Sequence, residues 1–334
     1  MIKRKPAFVL TIIIILLFSI IFIINKKTVP VAKAEIDLMG TKVEIEIQDS
    51  NAHALLPATI EYMENLANKI NEYDPKSEIS KINLEAGKKD IKVSPETLEL
   101  LLTCKDAHNK THGYFNILGG PLFSLWKNSI RSKTLPAKAD IQKSLQSTGI
   151  HYLLLNEKKQ TARLTNKNAR INLEGIGKGY VLDKTAQFLQ EKKVDNAVLS
   201  SGSTTVVIGS RDKNKPWRIG IKNPRSLELL GTIEIEDGYA VSTSGDYEQF
   251  MEINGKIYSH IINPKTGQPA QDCQAVTIVA PNATLADALS TAVFVMGPWE
   301  GFKYVESQKG IEALIVKSDG RLITSSGIKF EYSE

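Results

Sequence analysis

The chain has 334 residues, enough for one large or two ordinary domains, and a formal net charge of +5. Six of its 42 basic residues lie in residues 1–33, which contain no acidic residue, so 36 basic and 37 acidic residues remain in the rest. A nearly neutral body of ordinary apolar content favours a globular domain with a sizeable core. It excludes partners that depend on a basic surface, nucleic acids among them.

The first 33 residues contain a continuous apolar run at 7–24, flanked on both sides by lysines. Its length is near the minimum for spanning a bilayer. A cleavable signal peptide is the alternative, because Ala-Lys-Ala at 32–34 resembles a cleavage site. The run exceeds the usual core of a signal peptide, and two lysines separate it from that site. We therefore predict an uncleaved anchor and tether at 1–33, with a domain at 34–334 on the extracytoplasmic face of the membrane.

The first half of the domain is predicted to be mainly helical. A tether at 28–33 precedes a strand at 41–48, in which polar and apolar residues alternate. Two amphipathic helices follow, one at 52–73 and one that begins at Pro95 and ends at Gly113. Residues 113–126 are predicted to be an apolar, glycine-bearing loop. Residues 128–169 are predicted to hold a peripheral helix at 139–148 and a short hairpin.

The second half is predicted to be mainly strands. They are placed at 170–173, 197–201, 205–209, 217–222, 232–236, 240–243, 256–262, 275–280, 312–317 and 322–324, with helices at 180–191, 285–296 and 300–308. Helices and strands do not alternate strictly, so we predict the α+β class, with helices packed on a mixed sheet.

The two cysteines, Cys104 and Cys273, allow one disulfide in an oxidising compartment. Cys104 lies inside a helical pattern, and the spacing of the two carries no signature. Two buried thiols are the favoured interpretation.

A glycine-rich stretch at 172–183 reads Asn-Leu-Glu-Gly-Ile-Gly-Lys-Gly-Tyr-Val-Leu-Asp. A strand, a glycine turn holding Lys178 and a helix start together favour an anion, because glycines admit a ligand close to the backbone and the helix dipole attracts negative charge. The expected ligand is a phosphate or diphosphate. The spacing fits neither the P-loop nor the dinucleotide fingerprint, so a tight turn with a solvated lysine is the alternative.

The helix predicted at 285–296 carries two oxygen-bearing side chains one turn apart, Asp287 and Thr291. With Thr284 as N-cap, a capping box would account for Asp287. It would not account for Thr291, a hydroxyl within an apolar run. Carboxylate and hydroxyl oxygens suit Mg²⁺, which takes few protein ligands and completes its shell with phosphate and water.

One histidine, His260, ends a predicted strand just before a turn with proline and glycine. Such loop ends often carry catalytic groups, and histidine is suited to proton transfer near neutral pH. A hydrogen-bonded structural histidine is the alternative. The hydroxyl-rich segment Val-Ser-Thr-Ser-Gly-Asp-Tyr at 241–247 is a turn by itself, and its hydroxyls could hold ligand oxygens beside a phosphate site.

Taken together, these motifs resemble the ApbE family of flavin transferases, which move FMN from FAD onto a protein. The resemblance covers nearly all of the chain after the anchor. The motifs occur in the family's order: Met39-Gly-Thr, Tyr73-Asp-Pro, Gly113-Tyr-Phe-Asn, Gly175-Ile-Gly-Lys-Gly-Tyr, Ser242-Thr-Ser-Gly-Asp-Tyr, His260-Ile-Ile-Asn-Pro-Lys-Thr-Gly and Ala286-Asp-Ala with Thr291-Ala.

The resemblance implies one FAD in a cleft, with Mg²⁺ on its diphosphate held by Asp287, Thr291 and the carbonyl of Gly175. His260 matches the family's histidine for proton transfer. The acceptor is implied to be a Thr or Ser in a short motif of an exported or membrane-bound redox protein. The residues implied to line the FAD site are Met39, Tyr73, Tyr114, Phe115, Asn116, Asn172, Lys178 and Ile261.

The chain departs from the family pattern in four places. Asn116, Asn172 and Asn263 stand where aspartates are usual, and Ser-Ser-Gly-Ser-Thr at 200–204 replaces Asn-Leu-Gly-Gly-Asp. Each asparagine keeps a hydrogen-bonding shape but removes a charge. Two alternatives therefore stay open: an FAD pyrophosphatase, in which water replaces the acceptor, and a membrane-tethered flavin-binding protein without catalysis.

Overall fold

The computed structural model describes residues 29–211 and 215–333, so the predicted anchor at 7–24 lies outside the described residues. Within those ranges, no helix has both the length and the apolar character needed to cross a bilayer. The helices described are α1 (Ala52–Ile70), α2 (Glu78–Leu84), α3 (Pro95–Lys110), α4 (Gly120–Ser132), α5 (Lys138–Leu145), α6 (Gly177–Glu191), α7 (Ala283–Met296) and α8 (Pro298–Glu306).

The strands described are β1 (Val31–Leu38), β2 (Thr41–Gln48), β3 (Ile91–Lys92), β4 (Leu153–Asn156), β5 (Thr161–Leu164), β6 (Asn196–Ser201), β7 (Thr204–Ile208), β8 (Trp217–Lys222), β9 (Leu229–Ile235), β10 (Ala240–Gly245), β11 (Phe250–Ile253), β12 (Lys256–Ser259), β13 (Cys273–Ala280), β14 (Glu312–Lys317), β15 (Leu322–Thr324) and β16 (Phe330–Tyr332). Most lie within a few residues of their predicted positions. The predicted tether at 28–33 overlaps β1, which already pairs with β2 from Val31 onwards.

An eight-stranded sheet, in the order β1-β2-β6-β7-β10-β13-β14-β15, forms the centre of the fold. The prediction of an α+β protein is confirmed, but the prediction of a mixed sheet is wrong. All seven pairings within this sheet are antiparallel. The short connections β1–β2, β6–β7 and β14–β15 explain part of this result, because a tight hairpin can only join antiparallel neighbours.

The central strands are covered on both faces. Helix α7 packs on β10 and β13, and α6 packs on β6 and β7. On the other face lies the small sheet of β8, β9 and β16, whose Trp217 and Ile233 cluster with Val207, Val241 and Val279. β13 is buried at all eight of its positions, as expected for a strand covered on both faces, and this packing makes the sheet a rigid support for the helix ends.

Two other local predictions are wrong. Residues 113–126 were predicted to be a loop, but a 3₁₀ turn at Ile117–Gly119 leads into α4 from Gly120. Proline next to the helix start and the buried pair Leu122 and Trp126, four residues apart, account for this helix. Residues 170–173 form no strand. Side chains, not a neighbouring strand, bond much of their backbone.

The two cysteines are both buried and free, as the favoured interpretation predicted. Burial raises the pKa of the Cys273 thiol to about 12, so this side chain behaves as a small apolar group.

Candidate active site

A cleft opens where the glycine-rich segment, the end of β10, the segment after β12 and helix α7 meet. Thr243, Ser244 and Gly245 of the hydroxyl-rich segment line it. So do seven of the twelve residues that the resemblance implies for the site: Asn172, Gly175, Lys178, His260, Ile261, Asp287 and Thr291. Residues far apart in the chain thus share one surface. The two helices α6 and α7 pack directly against each other beneath it.

Helix α7 begins two residues earlier than the sequence suggested. Asn282 is its N-cap and accepts a hydrogen bond from the amide of Leu285 at 2.8 Å, so the prediction of Thr284 as N-cap is wrong. Thr284 lies inside the first turn and donates its hydroxyl to Asp183. Asn282 is the better cap because its side chain fits the non-helical geometry of that position. Asp287 is therefore not needed for capping.

Asp287 is a buried carboxylate with few partners. It is 4% exposed, and one of its oxygens accepts the amide of Gly179 at 3.0 Å. Burial raises the pKa of Asp287, while the nearby charge of Lys178 opposes that shift. A buried ionised carboxylate is unfavourable unless a cation or several donors compensate it. Asp287 thus has the character of a ligand for a cation.

Gly175 and Thr291 place two further oxygen groups near Asp287. A Cβ atom on Gly175 would lie 3.1 Å from the Thr291 hydroxyl oxygen, so the glycine turn lies directly against that hydroxyl. Ser244 reaches the same hydroxyl at 3.3 Å. No group of three or more His, Cys, Asp or Glu side chains among residues 29–211 and 215–333 could hold a metal. The donors present are hydroxyl, carbonyl and carboxylate oxygens, which fit Mg²⁺ better than a soft metal.

The glycine turn supplies fewer free amides than predicted. Helix α6 begins at Gly177 instead of Tyr180, and the first-turn amide of Gly179 is occupied by Asp287. Lys178 lines the cleft, and its ammonium donates to the carbonyl of Glu174 at 2.9 Å. Lys178 is therefore the main positive group that this segment offers to an anion.

His260 is held by a single backbone contact. Its Nδ1 lies 3.2 Å from the carbonyl oxygen of Gln249, which can only accept, so Nδ1 carries the hydrogen of the neutral ring. Nε2 is then left with its lone pair. Burial lowers the pKa of His260; Glu248 opposes the shift and Lys178 adds to it. The neutral, proton-accepting ring is thereby favoured near neutral pH.

Five of the residues implied by the resemblance lie outside the cleft lining. Met39 occupies the β1–β2 turn with φ at 51°, and Tyr114 donates its hydroxyl to Glu300 at 3.0 Å. The buried Phe115 ring would come within 3.6 Å of a Cβ atom on Gly175, so it supports the turn from beneath.

Asn116 and Tyr73 are both engaged in contacts within the protein. Asn116 caps the 3₁₀ turn through Leu118 and donates to the carbonyl of Thr148 at 2.7 Å. The Tyr73 hydroxyl donates to the carboxylate of Glu174 at 2.5 Å, which places it at the rim of the cleft.

Several lining residues were not singled out from the sequence. Phe123 and Lys127 line the cleft from α4, which was predicted to be a loop. Lys127 also donates to Glu174 at 3.0 Å. The apolar spacing of residues 122 and 126 was the available signal, and it would have placed Phe123 and Lys127 together on the next face of that helix.

Close approach of α6 to α7 depends on Gly179. A Cβ atom there would lie 2.2 Å from the carbonyl oxygen of Ala283 and 2.9 Å from the Cβ of Asp287. We expect Gly179→Ala to lower the free energy of unfolding by about 1–3 kcal/mol, because helix backbone has to move, and to weaken ligand binding in the cleft. Urea unfolding measures the first effect.

Gly177→Ala is the matched control on the same helix. A Cβ atom at Gly177 would meet nothing closer than 3.6 Å. Its stability should stay within about 1 kcal/mol of the wild type or rise, because alanine is the better helix former. Equal losses in the two variants would contradict the importance of this contact.

Comparison with known proteins identifies the family. Residues 39–315 match the ApbE family. The FAD:protein FMN transferase of Klebsiella pneumoniae is 27% identical over 89% of this chain and 92% of its own length. That of Vibrio cholerae is 30% identical, over 77% of this chain and 78% of its own.

Solved structures agree with these sequence matches. The crystal structure of the ApbE protein from Thermotoga maritima has a TM-score of 0.81 and 32% sequence identity, covering 89% of this chain and 97% of that one. Because both the family match and the fold extend over most of the chain, it belongs to the ApbE family and is an enzyme of the flavin transferase kind.

Proposed function

We propose that this protein is a Mg²⁺-dependent FAD:protein FMN transferase that attaches FMN through a phosphoester bond to a Thr or Ser of an exported or membrane redox protein and releases AMP. The observation that carries the proposal is one cleft lined by the buried carboxylate of Asp287, the ammonium of Lys178 and the imidazole of His260. The names of the curated relatives, which match over most of the chain, support the same reaction.

His260 is proposed to act as the general base. With Nδ1 donating to the carbonyl of Gln249, Nε2 can accept the proton of the acceptor hydroxyl. The acceptor oxygen then forms a bond to the FMN-side phosphorus, and the bond from that phosphorus to the oxygen bridging it to AMP breaks. The lowered pKa of His260 keeps the ring in its accepting form.

Lys178 is proposed to bind the diphosphate of FAD. Its ammonium lies in the cleft, 2.9 Å from the Glu174 carbonyl oxygen, so it is available to a phosphate oxygen that enters the cleft. A fixed positive charge stabilises the negative charge that grows on the leaving phosphate.

Asp287, Thr291 and the carbonyl of Gly175 are proposed to hold Mg²⁺. Their oxygens suit this ion, which takes few protein ligands beside substrate phosphate. When bound, Mg²⁺ would neutralise part of the diphosphate charge. We also propose, from the family pattern, that the remaining residues contribute to the FAD site: Met39, Tyr73, Tyr114, Phe115, Asn116, Asn172 and Ile261.

The N-terminal residues 1–33 are proposed to anchor the domain at 34–334 to the extracytoplasmic face of the membrane. The support is the apolar run at 7–24 and its flanking lysines. An extracytoplasmic position would bring the domain to exported or membrane-bound acceptor proteins.

Mass spectrometry of a co-expressed acceptor tests the proposal. We expect a Thr or Ser of the acceptor to gain the mass of an FMN phosphoester and AMP to appear in equal amount, both only with Mg²⁺. Rapid release of FMN and AMP without an acceptor would instead identify a pyrophosphatase. Stoichiometric FAD retention with no AMP under any condition would identify a flavin-binding protein and overturn the proposal.

A further inference from the structure

The segment that enters the cleft, residues 169–176, has backbone hydrogen bonds to Ile117 and Gly120 and is held on its other side by the side chains of Asn83 and Glu72. Asn83 donates to the carbonyl of Ile171 at 3.0 Å and accepts the amide of the same residue at 2.7 Å. The amide of Leu173 donates to a carboxylate oxygen of Glu72 at 2.6 Å. Exchanging these side chains therefore changes the position of the segment directly.

Glu72 and Asn172 form the contact nearest the cleft. One oxygen of Glu72 accepts the side-chain amide of Asn172 at 2.5 Å, while the other accepts the amide of Leu173. The side-chain oxygen of Asn172 accepts the amide of Glu174 at 3.3 Å. Both polar ends of Asn172 are thus occupied within the protein, and Asn172 joins Glu72 to the residue whose carbonyl holds Lys178.

Glu72 is the ionisable member of this pair. Burial raises the pKa of Glu72 to about 7, and the donors Leu173 and Asn172 oppose that shift. A buried carboxylate destabilises the folded state unless its hydrogen bonds compensate the cost of removing it from water. Its hydrogen bonds of 2.5 and 2.6 Å both go to the cleft segment, which points to a role in positioning that segment.

We propose that Glu72, acting through Asn172, is a positioning residue for the diphosphate-binding segment 172–178, and that the pair functions with its charge on either member. This inference rests on the proposed function. A glutamine at position 72 can accept the amide of Leu173 and donate to an aspartate at position 172, whose second oxygen can still accept the amide of Glu174. Exchanging the two side-chain chemistries therefore preserves every hydrogen bond of the pair.

The test compares Asn172→Asp, Glu72→Gln and the double variant by titration with FAD and Mg²⁺. Asn172→Asp alone sets two carboxyl groups against each other, so at a pH above the raised pKa of Glu72 we expect FAD affinity to fall at least about tenfold. Glu72→Gln alone leaves two amide donors facing each other, and we expect a smaller loss. The double variant should recover affinity to within about threefold of the wild type, since the hydrogen bonds are restored.

Hydrogen exchange of the peptide containing residues 169–176 provides a readout that does not depend on FAD. Exchange should be faster in Asn172→Asp and return to the wild-type rate in the double variant. Glu64→Gln is the control: this exposed glutamate on α1 has no hydrogen bond or ion pair within the described residues, and both readouts should be unchanged.

A double variant that binds FAD no more tightly than Asn172→Asp would overturn the inference. So would restored hydrogen exchange without restored FAD affinity, since the pair would then be purely structural. A wild-type protein without FAD affinity would instead refute the proposed function. In that case hydrogen exchange would still show whether the pair holds the segment.

Discussion

Replacing Asp287 by alanine is expected to abolish FMN transfer, with a loss of at least about a thousandfold. Asp287 is 4% exposed and accepts the amide of Gly179. It is also the only carboxylate among the three proposed Mg²⁺ ligands, so its removal takes away the charge that attracts the cation. Steady-state release of AMP in the presence of an acceptor measures the effect. Wild-type activity with Mg²⁺ present would contradict the metal assignment.

Asp183→Asn is the matched control for this variant. Asp183 is also largely buried near the start of α7, where it accepts the amides of Ala283 and Thr284, each at 2.7 Å. Asparagine can accept only one of these bonds well, so stability should fall by about 1 kcal/mol. Transfer at a temperature where the variant is folded should stay near wild type, because Asp183 does not line the cleft.

The stability of the Mg²⁺-free protein gives an independent test of the role of Asp287. Burial raises the pKa of Asp287 above that of the unfolded chain, so its ionisation costs stability as the pH rises through the folded pKa. At pH 7 without Mg²⁺, Asp287→Asn should therefore raise the melting temperature while it lowers transfer. A fall in both would indicate that Asp287 serves the fold and not a cation.

Replacing His260 by alanine is expected to lower the rate of transfer by about a hundred- to ten-thousandfold, because the general base is lost. FAD affinity should change little, because the diphosphate is proposed to bind Lys178 and Mg²⁺ whereas His260 is proposed to contact the acceptor hydroxyl. His53→Ala, an exposed position on α1, should leave the rate unchanged. Single-turnover measurements separate the two quantities.

The pH dependence of the same reaction identifies the proton acceptor. Burial lowers the pKa of His260 below its ordinary value of 6.5. The wild-type rate should therefore fall only as the pH drops below 6.5, when the ring becomes protonated. The residual rate of His260→Ala should lack this limb. An unchanged acidic limb in the variant would assign it to another group.

The local sequence pattern was sufficient to predict most helices and strands, but it did not predict how they are arranged in space. Alternation predicted β2 at 41–48, and the observed strand has the same bounds. The glycines at 119 and 120 obscured the start of α4, because they are typical of a turn while the buried face that fixes the helix lies further on. Residues 170–173 have the composition of a strand, but long-range contacts to Asn83 and Glu72, with backbone bonds to residues 117 and 120, take the place of strand pairing.

The candidate site was predictable only in part, because local sequence pattern identifies chemical groups but not long-range contacts. His260, Lys178, Asp287 and Thr291 carry recognisable chemistry in a family order, and the structure brings them to one cleft. The bond from Gly179 to Asp287 spans 108 positions of sequence, so no local pattern could indicate that this amide is occupied. Long-range packing therefore decides how many free donors the glycine turn retains.

Calorimetric titration of the purified protein with FAD, with Mg²⁺ and again with a chelator, tests the central claim most directly. If the diphosphate binds between Lys178 and a cation held at Asp287, FAD should bind in the presence of Mg²⁺ and at least about tenfold more weakly without it. No measurable FAD affinity under either condition would contradict the account.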